Sequence, residues 1–297
     1  MNSTSPMMKR RETLVLGTHS RTLPIRPLIM GIVNVTPDSF SDGGEFYSSG
    51  EAVDEFFRQA DEGAEIIDIG GESSRPGAEP VDIGEEWRRI GPVLSRVAGK
   101  SPVPISVDTY KAEIARRAAD SGASLINDIS ALRFDPKMGE TIAQSGLSVI
   151  LMHMRGTPRN MQQHPEYDDV VREISEFLTT RADAAIAAGI PSEKIIIDPG
   201  IGFGKTLIHN LIILNRMAEF VGMKYPVLVG ASRKSFIGKV SQVDEKDRVE
   251  GSLAVAVLAV SAGARIVRVH DVRQTRRALE VCEAIADPEQ WDENRAG

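Results

Sequence analysis

The segment EIIDIGGE, residues 65–72, is a short apolar run that ends in small and polar residues. Seven other segments repeat this arrangement, with terminal polar residues at Asn34, Asp108, Asn127 and Asp128, His153, Asp198, Ser232, and Arg268, His270 and Asp271. Strands that are buried on both faces read as unbroken apolar runs, as they do in parallel sheets. Polar residues confined to the carboxyl ends of such strands predict a functional site along that edge of the sheet.

The segments between these runs have a helical pattern. Apolar residues recur every three or four positions in residues 51–63, 111–122, 168–189 and 275–287. Glycine, which suits the left-handed position just past a helix end, follows five of the helical segments, at Gly63, Gly122, Gly146, Gly189 and Gly263. Eight strand and helix units predict an α/β fold, a (β/α)8 TIM barrel, with its site at the carboxyl ends of the strands. An open doubly wound sheet is the alternative, because strand number alone does not prove closure.

The length fits one domain, since barrels commonly use about 250 residues for a single core. We expect a mobile polar tail over residues 1–12, a barrel over 13–285 with an N-terminal hairpin at about 13–27 beneath it, and a C-terminal tail over 286–297. No linker is apparent within the barrel region.

Composition argues against several classes of protein. The net charge of −7 and the absence of a basic stripe disfavour nucleic-acid binding. The most apolar stretch, LAVAVLAV, is eight residues long, whereas a membrane span needs about 20. A single cysteine, Cys282, and no recognisable export signal favour a cytoplasmic protein.

Individual strand ends suggest ligand chemistry. Asn34 offers an amide oxygen that could bind Mg²⁺, although its loop could equally be a solvated turn. The loop GGESSRPG, residues 70–77, combines flexible glycines with hydroxyl groups and Arg75, or it is an ordinary surface loop. Asp108, Asn127 and Asp198 suit the edge of an aminopyrimidinone ring, or they cap turns, which is the role we assign to Asp128.

Two later loops raise the question of phosphate binding. DPGIGFGKT, residues 198–206, resembles a P-loop, but Pro199 replaces the first glycine, and Lys205 replaces the third glycine of a dinucleotide fingerprint. We interpret this segment as a flexible loop from which Asp198 and Phe203 face a ligand. GASRKSFIG, residues 230–238, brings Lys234 to the barrel mouth. Arg268 and His270, two apart on a strand, can hold one anion unless they form a surface ion pair.

In their order along the chain, NVTPDSFSDGG, DIGGESSRPGA, SVDT, INDIS, LMHMRGTPRNMQ, DPGIGFGKT, GASRKSFIG and RVHDV closely resemble the dihydropteroate synthase family, from about residue 28 to 280. The resemblance implies a transferase of folate biosynthesis. It would condense (7,8-dihydropterin-6-yl)methyl diphosphate with 4-aminobenzoate, giving 7,8-dihydropteroate and pyrophosphate, with sulfonamides as competitive inhibitors. It also implies Mg²⁺ and a homodimer.

The resemblance assigns roles to residues at matching positions. The pterin would contact Asp108, Asn127, Met152, Asp198, Phe203 and Lys234. Mg²⁺ would bind Asn34, and the diphosphate would contact Asn34, Arg268 and His270. The aminobenzoate would contact Phe40, Ser74, Arg75, Pro76 and Ser235, with Asp42 linking the metal to Arg75. Asp42, Arg75, Asp108, Asp198 and Lys234 would be the catalytic set.

Two positions depart from the family pattern: Ser74, where threonine is commoner, and Arg155, where glutamine is common. A pterin-binding methyltransferase that passes a methyl group from methyltetrahydrofolate to a corrinoid protein is a rival interpretation. A non-catalytic pterin-binding barrel is another. The Lys234 loop, Arg268 and His270 favour the synthase, because methyl transfer needs no diphosphate grip.

Overall fold

The computed structural model describes residues 13–17, 19–22, 26–36 and 49–288 of the chain. Two short antiparallel strands come first, β1 (Thr13–Leu16) and β2 (His19–Thr22). Eight strands of one sheet follow: β3 (Leu28–Asn34), β4 (Ile66–Gly70), β5 (Ile105–Asp108), β6 (Leu125–Asp128), β7 (Ser148–Met152), β8 (Ile195–Asp198), β9 (Leu228–Val229) and β10 (Ile266–Val269). The helices are α1 (Ser49–Asp61), α2 (Ile83–Val97), α3 (Ala112–Asp120), α4 (Met138–Ser145), α5 (Val170–Ala187), α6 (Leu207–Asn215), α7 (Met217–Val221), α8 (Ser235–Ser241), α9 (Val249–Ser261) and α10 (Val272–Ala286).

The eight strands form a parallel barrel. Their order is β8, β7, β6, β5, β4, β3, β10, β9, and every neighbouring pair is parallel. A parallel bridge between Ile197 and Val227, with a 3.0 Å bond from the Ile197 amide to the Pro226 carbonyl, joins β8 to the segment entering β9. The predicted (β/α)8 barrel is therefore confirmed, and the open sheet is not observed.

Local sequence signals explain where the helices begin and end. Asp82 and Asp169 precede α2 and α5, and their carboxylates accept hydrogen bonds from backbone amides of the first turn. The five glycines predicted to end helices have φ angles between 66° and 107°. This left-handed conformation is unfavourable for other residues, so the prediction about these glycines is confirmed.

The strands divide their side chains between two apolar layers. On every barrel strand except β6, where the parity is reversed, odd-numbered residues such as Ile67, Val149 and Val267 pack outward against the helices, in the larger cluster of buried residues. Even-numbered residues such as Ile66, Ile150 and Ile266 point inward and form a separate cluster inside the barrel. Strand side chains alternate with a period of two, so the inward face of each strand continues upward to its carboxyl end.

The N-terminal hairpin β1–β2 fills the amino end of the barrel. Leu14 and Leu16 are fully buried and belong to the inner cluster of the barrel strands. Ser148, the first residue of β7, fixes the hairpin, because its hydroxyl donates to the Val15 carbonyl (2.7 Å) and accepts from the Gly17 amide (3.1 Å). The hairpin therefore acts as a floor beneath the barrel interior.

We expect the Leu16→Ala substitution to lower the free energy of unfolding by about 2–5 kcal/mol, because it opens a cavity beneath the barrel. Ile186→Ala is the matched control; Ile186 is 43% exposed on α5, and we expect a change within about 0.5 kcal/mol. Urea unfolding followed by circular dichroism measures both. Equal small losses would show that the hairpin packs loosely.

Candidate active site

The inward residues at the carboxyl ends of the strands form one layer, which is polar except for Met152. On each of five strands a core residue is followed two positions later by a candidate site residue: Ile66 by Asp68, Leu125 by Asn127, Ile150 by Met152, Ile196 by Asp198, and Ile266 by Arg268. The alternation places these side chains directly above the apolar layer. Asn34, Asp108 and His270 have the same inward parity on β3, on β5 and just beyond β10.

Asp68 is the centre of this layer. Its Oδ2 accepts hydrogen bonds from Asn127 Nδ2 at 2.9 Å and from Arg268 Nε at 2.7 Å. The Arg268 guanidinium also contacts Asp108 Oδ2 through its NH2 at 3.2 Å. Four strands, β4, β5, β6 and β10, are thereby connected through one buried network.

Two carboxylates share one guanidinium in this network. Burial raises the pKa of Asp108, the negative charge of Asp68 raises it further, and Arg268 opposes both. The bond from Asn127 to Asp68 also fixes which way its amide points, since Nδ2 is the donor. The amide oxygen of Asn127 remains the acceptor at this point of the pocket.

Asp198, at the end of β8, lies across the barrel from Asp68 on β4. Its side chain is close to that of Arg268. Its Oδ1 accepts from the Gly200 amide at 2.7 Å. Gly230 separates the two side chains, because a methyl group there would lie 4.0 Å from Asp198 Oδ2 and 3.8 Å from Arg268 Cβ. Asp198 is almost fully buried, and this burial raises its pKa to about 6.

Lys234 is positioned by the ring of Phe203. Its ammonium lies 4.0 Å from the centre of that ring, and its stem packs against Gly202. Burial lowers the pKa of Lys234 to about 8, Arg268 lowers it further, and Asp198 and Asp108 oppose this. The ammonium therefore shares one electrostatic environment with both carboxylates.

His270 is a neutral side chain in this environment. Burial, followed by the positive charges of Arg268 and Arg233, lowers the pKa of His270 to about 3. Its Nδ1 lies 3.1 Å from the hydroxyl of Ser232 at the end of β9. The Arg268 guanidinium contacts Asp68 and Asp108, so the two residues of the R-x-H pair have different partners.

Asn34 and Asp108 flank Gly70 at the end of β4. A methyl group at Gly70 would lie 3.8 Å from Asn34 Oδ1 and 3.4 Å from Asp108 Cβ. Within the described residues, no group of three or more histidine, cysteine or acidic side chains could hold a metal ion. A cation here would take its protein ligand from Asn34 and its remaining ligands from water and substrate, which suits Mg²⁺.

The loop after β4 is fixed at both ends by Glu72. The Glu72 carboxylate accepts hydrogen bonds from the Tyr110 hydroxyl at 2.6 Å and from the Val81 amide at 3.3 Å, and it forms an ion pair with Lys111. Between these anchors, Arg75 and Pro76 are exposed and Ser74 is half-buried. Arg75 is near enough to Lys234 to lower the pKa of that ammonium.

The other predicted contacts occupy distinct positions. Met152 and Phe203 are buried in one small cluster with Ile129, Met154 and Met161. Ser235 is exposed at the start of α8, next to Lys234. Phe40 and Asp42 lie outside the described residues.

Two interpretations of the sequence are confirmed by side-chain contacts. Asp128 accepts from the Ser130 amide and hydroxyl and from the Leu132 amide, so it stabilises a turn. Lys205 is buried against His153 and the Phe203 carbonyl, so DPGIGFGKT does not form a P-loop. The departing residue Arg155 lies over the Tyr167 ring and pairs with Glu173.

Three polar residues of this region were not predicted from the sequence: Asp68, Glu72 as an anchor of its loop, and Lys205. Asp68 lies within a strand, where a charged residue between Ile67 and Ile69 was itself a signal.

In the described residues, no helix is both long enough and apolar enough to cross a membrane.

Known proteins are similar to this chain in both sequence and fold. Residues 30–270 match the family described as pterin binding enzyme. Dihydropteroate synthase of Escherichia coli strain K12 is 49% identical over 258 residues, or 87% of this chain and 91% of that protein. Dihydropteroate synthase of Yersinia pestis with a sulfonamide drug complex has a TM-score of 0.87 at 45% identity, covering 92% of this chain and 98% of that one. The Xanthomonas albilineans synthase in complex with 7,8-dihydropteroate has a TM-score of 0.83 at 42% identity, covering 93% and 99%.

The barrel, its polar upper layer and these matches define a pterin-binding enzyme. Within that class the chain belongs to the dihydropteroate synthases, which are transferases. The family predicted from the sequence is therefore confirmed, and the matches do not favour a corrinoid methyltransferase.

The network predicts a coupled titration. Asp68→Asn removes a negative charge that raises the pKa of Asp108, so we expect that pKa to fall by about one unit or more. Carbon-13 NMR of the Asp108 carboxyl group in the unliganded protein measures the change. Asp120→Asn, an exposed change on α3, is the control and should leave the Asp108 pKa unaltered. An unchanged Asp108 pKa in Asp68→Asn would contradict the coupling.

Proposed function

We propose that the barrel mouth binds (7,8-dihydropterin-6-yl)methyl diphosphate and joins it to 4-aminobenzoate, releasing pyrophosphate. The main support for this proposal is that Asp108, Asn127 and Asp198 lie in the same layer as Lys234 and Arg268. Carboxylates and amides suit the pterin ring, and cations suit the diphosphate. Family membership supplies the reaction to which this pocket is matched.

The pterin half of the substrate would lie between the β5, β6 and β8 ends. A carboxylate such as Asp198 accepts from two adjacent N–H groups of an aminopyrimidinone, and the fixed amide oxygen of Asn127 accepts from a third donor. Met152 and Phe203 provide apolar contact for the flat ring. Lys234 would donate to a ring oxygen or nitrogen.

The reaction separates charge. Breaking the methylene C–O bond leaves positive charge on the dihydropterin and negative charge on the departing pyrophosphate. Asp108 and Asp198 favour the cation when they are ionised, whereas Arg268 and an N–H of His270 stabilise the anion. His270 is neutral before binding, and a nearby diphosphate would raise its pKa.

We assign Asn34 as the protein ligand of Mg²⁺ and as a contact of the diphosphate. Its amide oxygen projects from a strand end beside Asp108, which fits an ion that prefers oxygen ligands and retains water. When bound, Mg²⁺ would neutralise charge on the leaving diphosphate.

The second substrate would enter along the loops. Ser74, Arg75 and Pro76 lie on the loop that Glu72 anchors, and Ser235 lies beside Lys234. By resemblance to the family, Phe40 would also contact the aminobenzoate, and Asp42 would link the metal to Arg75. The aniline nitrogen attacks the methylene carbon without a preceding deprotonation, so this half needs positioning more than a general base. Sulfonamides would compete for the same contacts, and a relative is known in complex with a sulfonamide drug.

We further propose a cytoplasmic homodimer. The chain has one cysteine, which suits a reducing compartment. Ile208 on α6 (59% exposed), Val240 on α8 (58%) and Leu258 on α9 (66%) are large apolar side chains on helices that contact one another. Such a grouping is typical of a subunit interface.

The test of the reaction supplies purified protein with the pterin diphosphate, 4-aminobenzoate and Mg²⁺, and detects dihydropteroate by mass spectrometry. We expect Asp198→Asn and Lys234→Ala each to reduce turnover at least about a hundredfold, because transition-state electrostatics are lost. Asp183→Asn and Lys239→Ala, both on the exposed surface, are the matched controls. Wild-type activity with no loss in either site variant would show that the pocket is elsewhere; no wild-type product would refute the reaction.

The dimer is tested with Leu258→Arg, which places a charge in the proposed interface. We expect light scattering after size exclusion to change from the mass of two chains to that of one, because burying an unpaired charge is costly. Ile285→Arg is the control, since Ile285 is 75% exposed on α10, a helix that contacts α9 but is not part of the proposed interface. A wild-type monomer, or an unaffected Leu258→Arg dimer, would contradict this interface.

A further inference from the structure

We propose that Lys205 is a positioning residue for the pterin half of the site, where its buried ammonium fixes the loop after β8 and supplies a positive charge behind Asp198. Lys205 ends the GFGK segment that resembled a phosphate loop, and no substrate contact was assigned to it. The inference rests on the proposed function of the pocket, and it adds a residue that acts through Phe203, Lys234 and Asp198.

The ammonium of Lys205 is enclosed by protein groups. Only 3% of the residue is exposed. Its Nζ donates to the Phe203 carbonyl at 2.9 Å and lies 3.0 Å from His153 Nδ1 and 3.4 Å from the His153 carbonyl. One side chain thus joins the loop after β8 to the end of β7.

The loop itself is pressed against β7. Gly200 and Gly204 have positive φ angles of 70° and 63°. A methyl group at Gly200 would lie 2.0 Å from the His153 carbonyl oxygen, and one at Gly204 would lie 2.6 Å from the Arg155 carbonyl oxygen. Contacts this close leave no room for a side chain at either position, so the loop can pass this near to β7 only with glycine there.

Phe203 transmits the effect of Lys205 to Lys234. The Phe203 carbonyl accepts from Lys205, and the ring of the same residue supports the Lys234 ammonium at 4.0 Å. Loss of the bond to the carbonyl would free the residue that holds Lys234 in place. A displacement of about 1 Å in a positioned group can reduce rates about a hundredfold.

Charge provides a second connection, to Asp198. The charged groups that face Asp198 are Lys205, Lys234 and Arg268, and each favours its ionised form. Lys205 in turn faces Asp198, Lys234 and Arg155, while burial lowers its own pKa to about 7. His153 stays neutral because burial and Lys205 lower its pKa, so its Nδ1 can accept from the ammonium.

Stability alone is a poor reason for this arrangement. Removing a charge from water is costly, and replacing buried ionic groups by apolar residues of similar volume is often neutral or stabilising. Lys205→Met is such a replacement. If Lys205 has only a packing role, this variant should keep the pH profile of the wild-type enzyme.

The experiment compares Lys205→Met, which loses charge and tether, with Lys205→Gln, which loses the charge but keeps an N–H donor. Steady-state rates are measured from pH 5 to 9 with each substrate varied in turn. For Lys205→Met we expect kcat/KM for the pterin diphosphate to fall about ten- to hundredfold, with the KM for aminobenzoate unchanged. In both variants we expect the acidic limb of the profile, which we assign to Asp198, to move upward by about one unit.

The sign of that shift follows from the charge. The positive charge of Lys205 favours ionised Asp198, so its removal raises the pKa of Asp198, and a higher pH is then needed for the active carboxylate. Tyr167→Phe is the matched control, because the Tyr167 hydroxyl donates to the Gly204 carbonyl at 2.8 Å and fixes the same loop without a charge. It should leave the acidic limb in place.

An active wild-type enzyme whose acidic limb is unmoved in both Lys205 variants would overturn this inference and leave the proposed reaction intact. Absence of wild-type product would refute the reaction instead. If the variants do not fold, nitrogen-15 NMR of the wild-type lysine ammonium groups decides. A resonance that titrates near pH 7 and shifts on addition of a pterin supports the inference, and a resonance unaffected by pterin opposes it.

Discussion

The alternation of side chains along eight parallel strands is the constraint on which the site depends. A closed barrel directs every second residue inward, and the parallel direction brings all carboxyl ends to one opening. Polar residues two positions above Ile66, Leu125, Ile196 and Ile266 must therefore meet in one layer. A one-residue shift in register would turn Asp198 outward toward the helices.

That layer concentrates opposite charges in a buried space. Burial disfavours ionisation on both sides, so the pKa of Asp198 rises while the pKa values of Lys234 and His270 fall. Arg268 partly offsets the cost by pairing with Asp68 and Asp108. A substrate with a developing cation at one end and an anion at the other would satisfy groups that are poorly solvated in its absence.

Much of this could be predicted from sequence, because the signals were local. Apolar runs predicted the strands, glycines predicted the helix ends, and polar residues at the strand ends indicated a candidate site. The network of Asp68 could not be derived in this way, since it depends on side chains 59 and 200 positions apart in sequence meeting across the barrel. The same holds for Lys205, whose motif suggested phosphate and whose contacts lie in the protein interior. The neutral state of His270 also required knowledge of its burial.

The hairpin beneath the barrel limits how substrates enter and products leave the site. In the part of the chain that the structure describes, Leu14 and Leu16 close the lower end of the barrel interior. Both reactants and both products then enter and leave through the opening at the carboxyl ends of the strands. Where two ligands lie one above the other in such a site, the lower one must bind first and leave last, so the architecture itself imposes an order of binding.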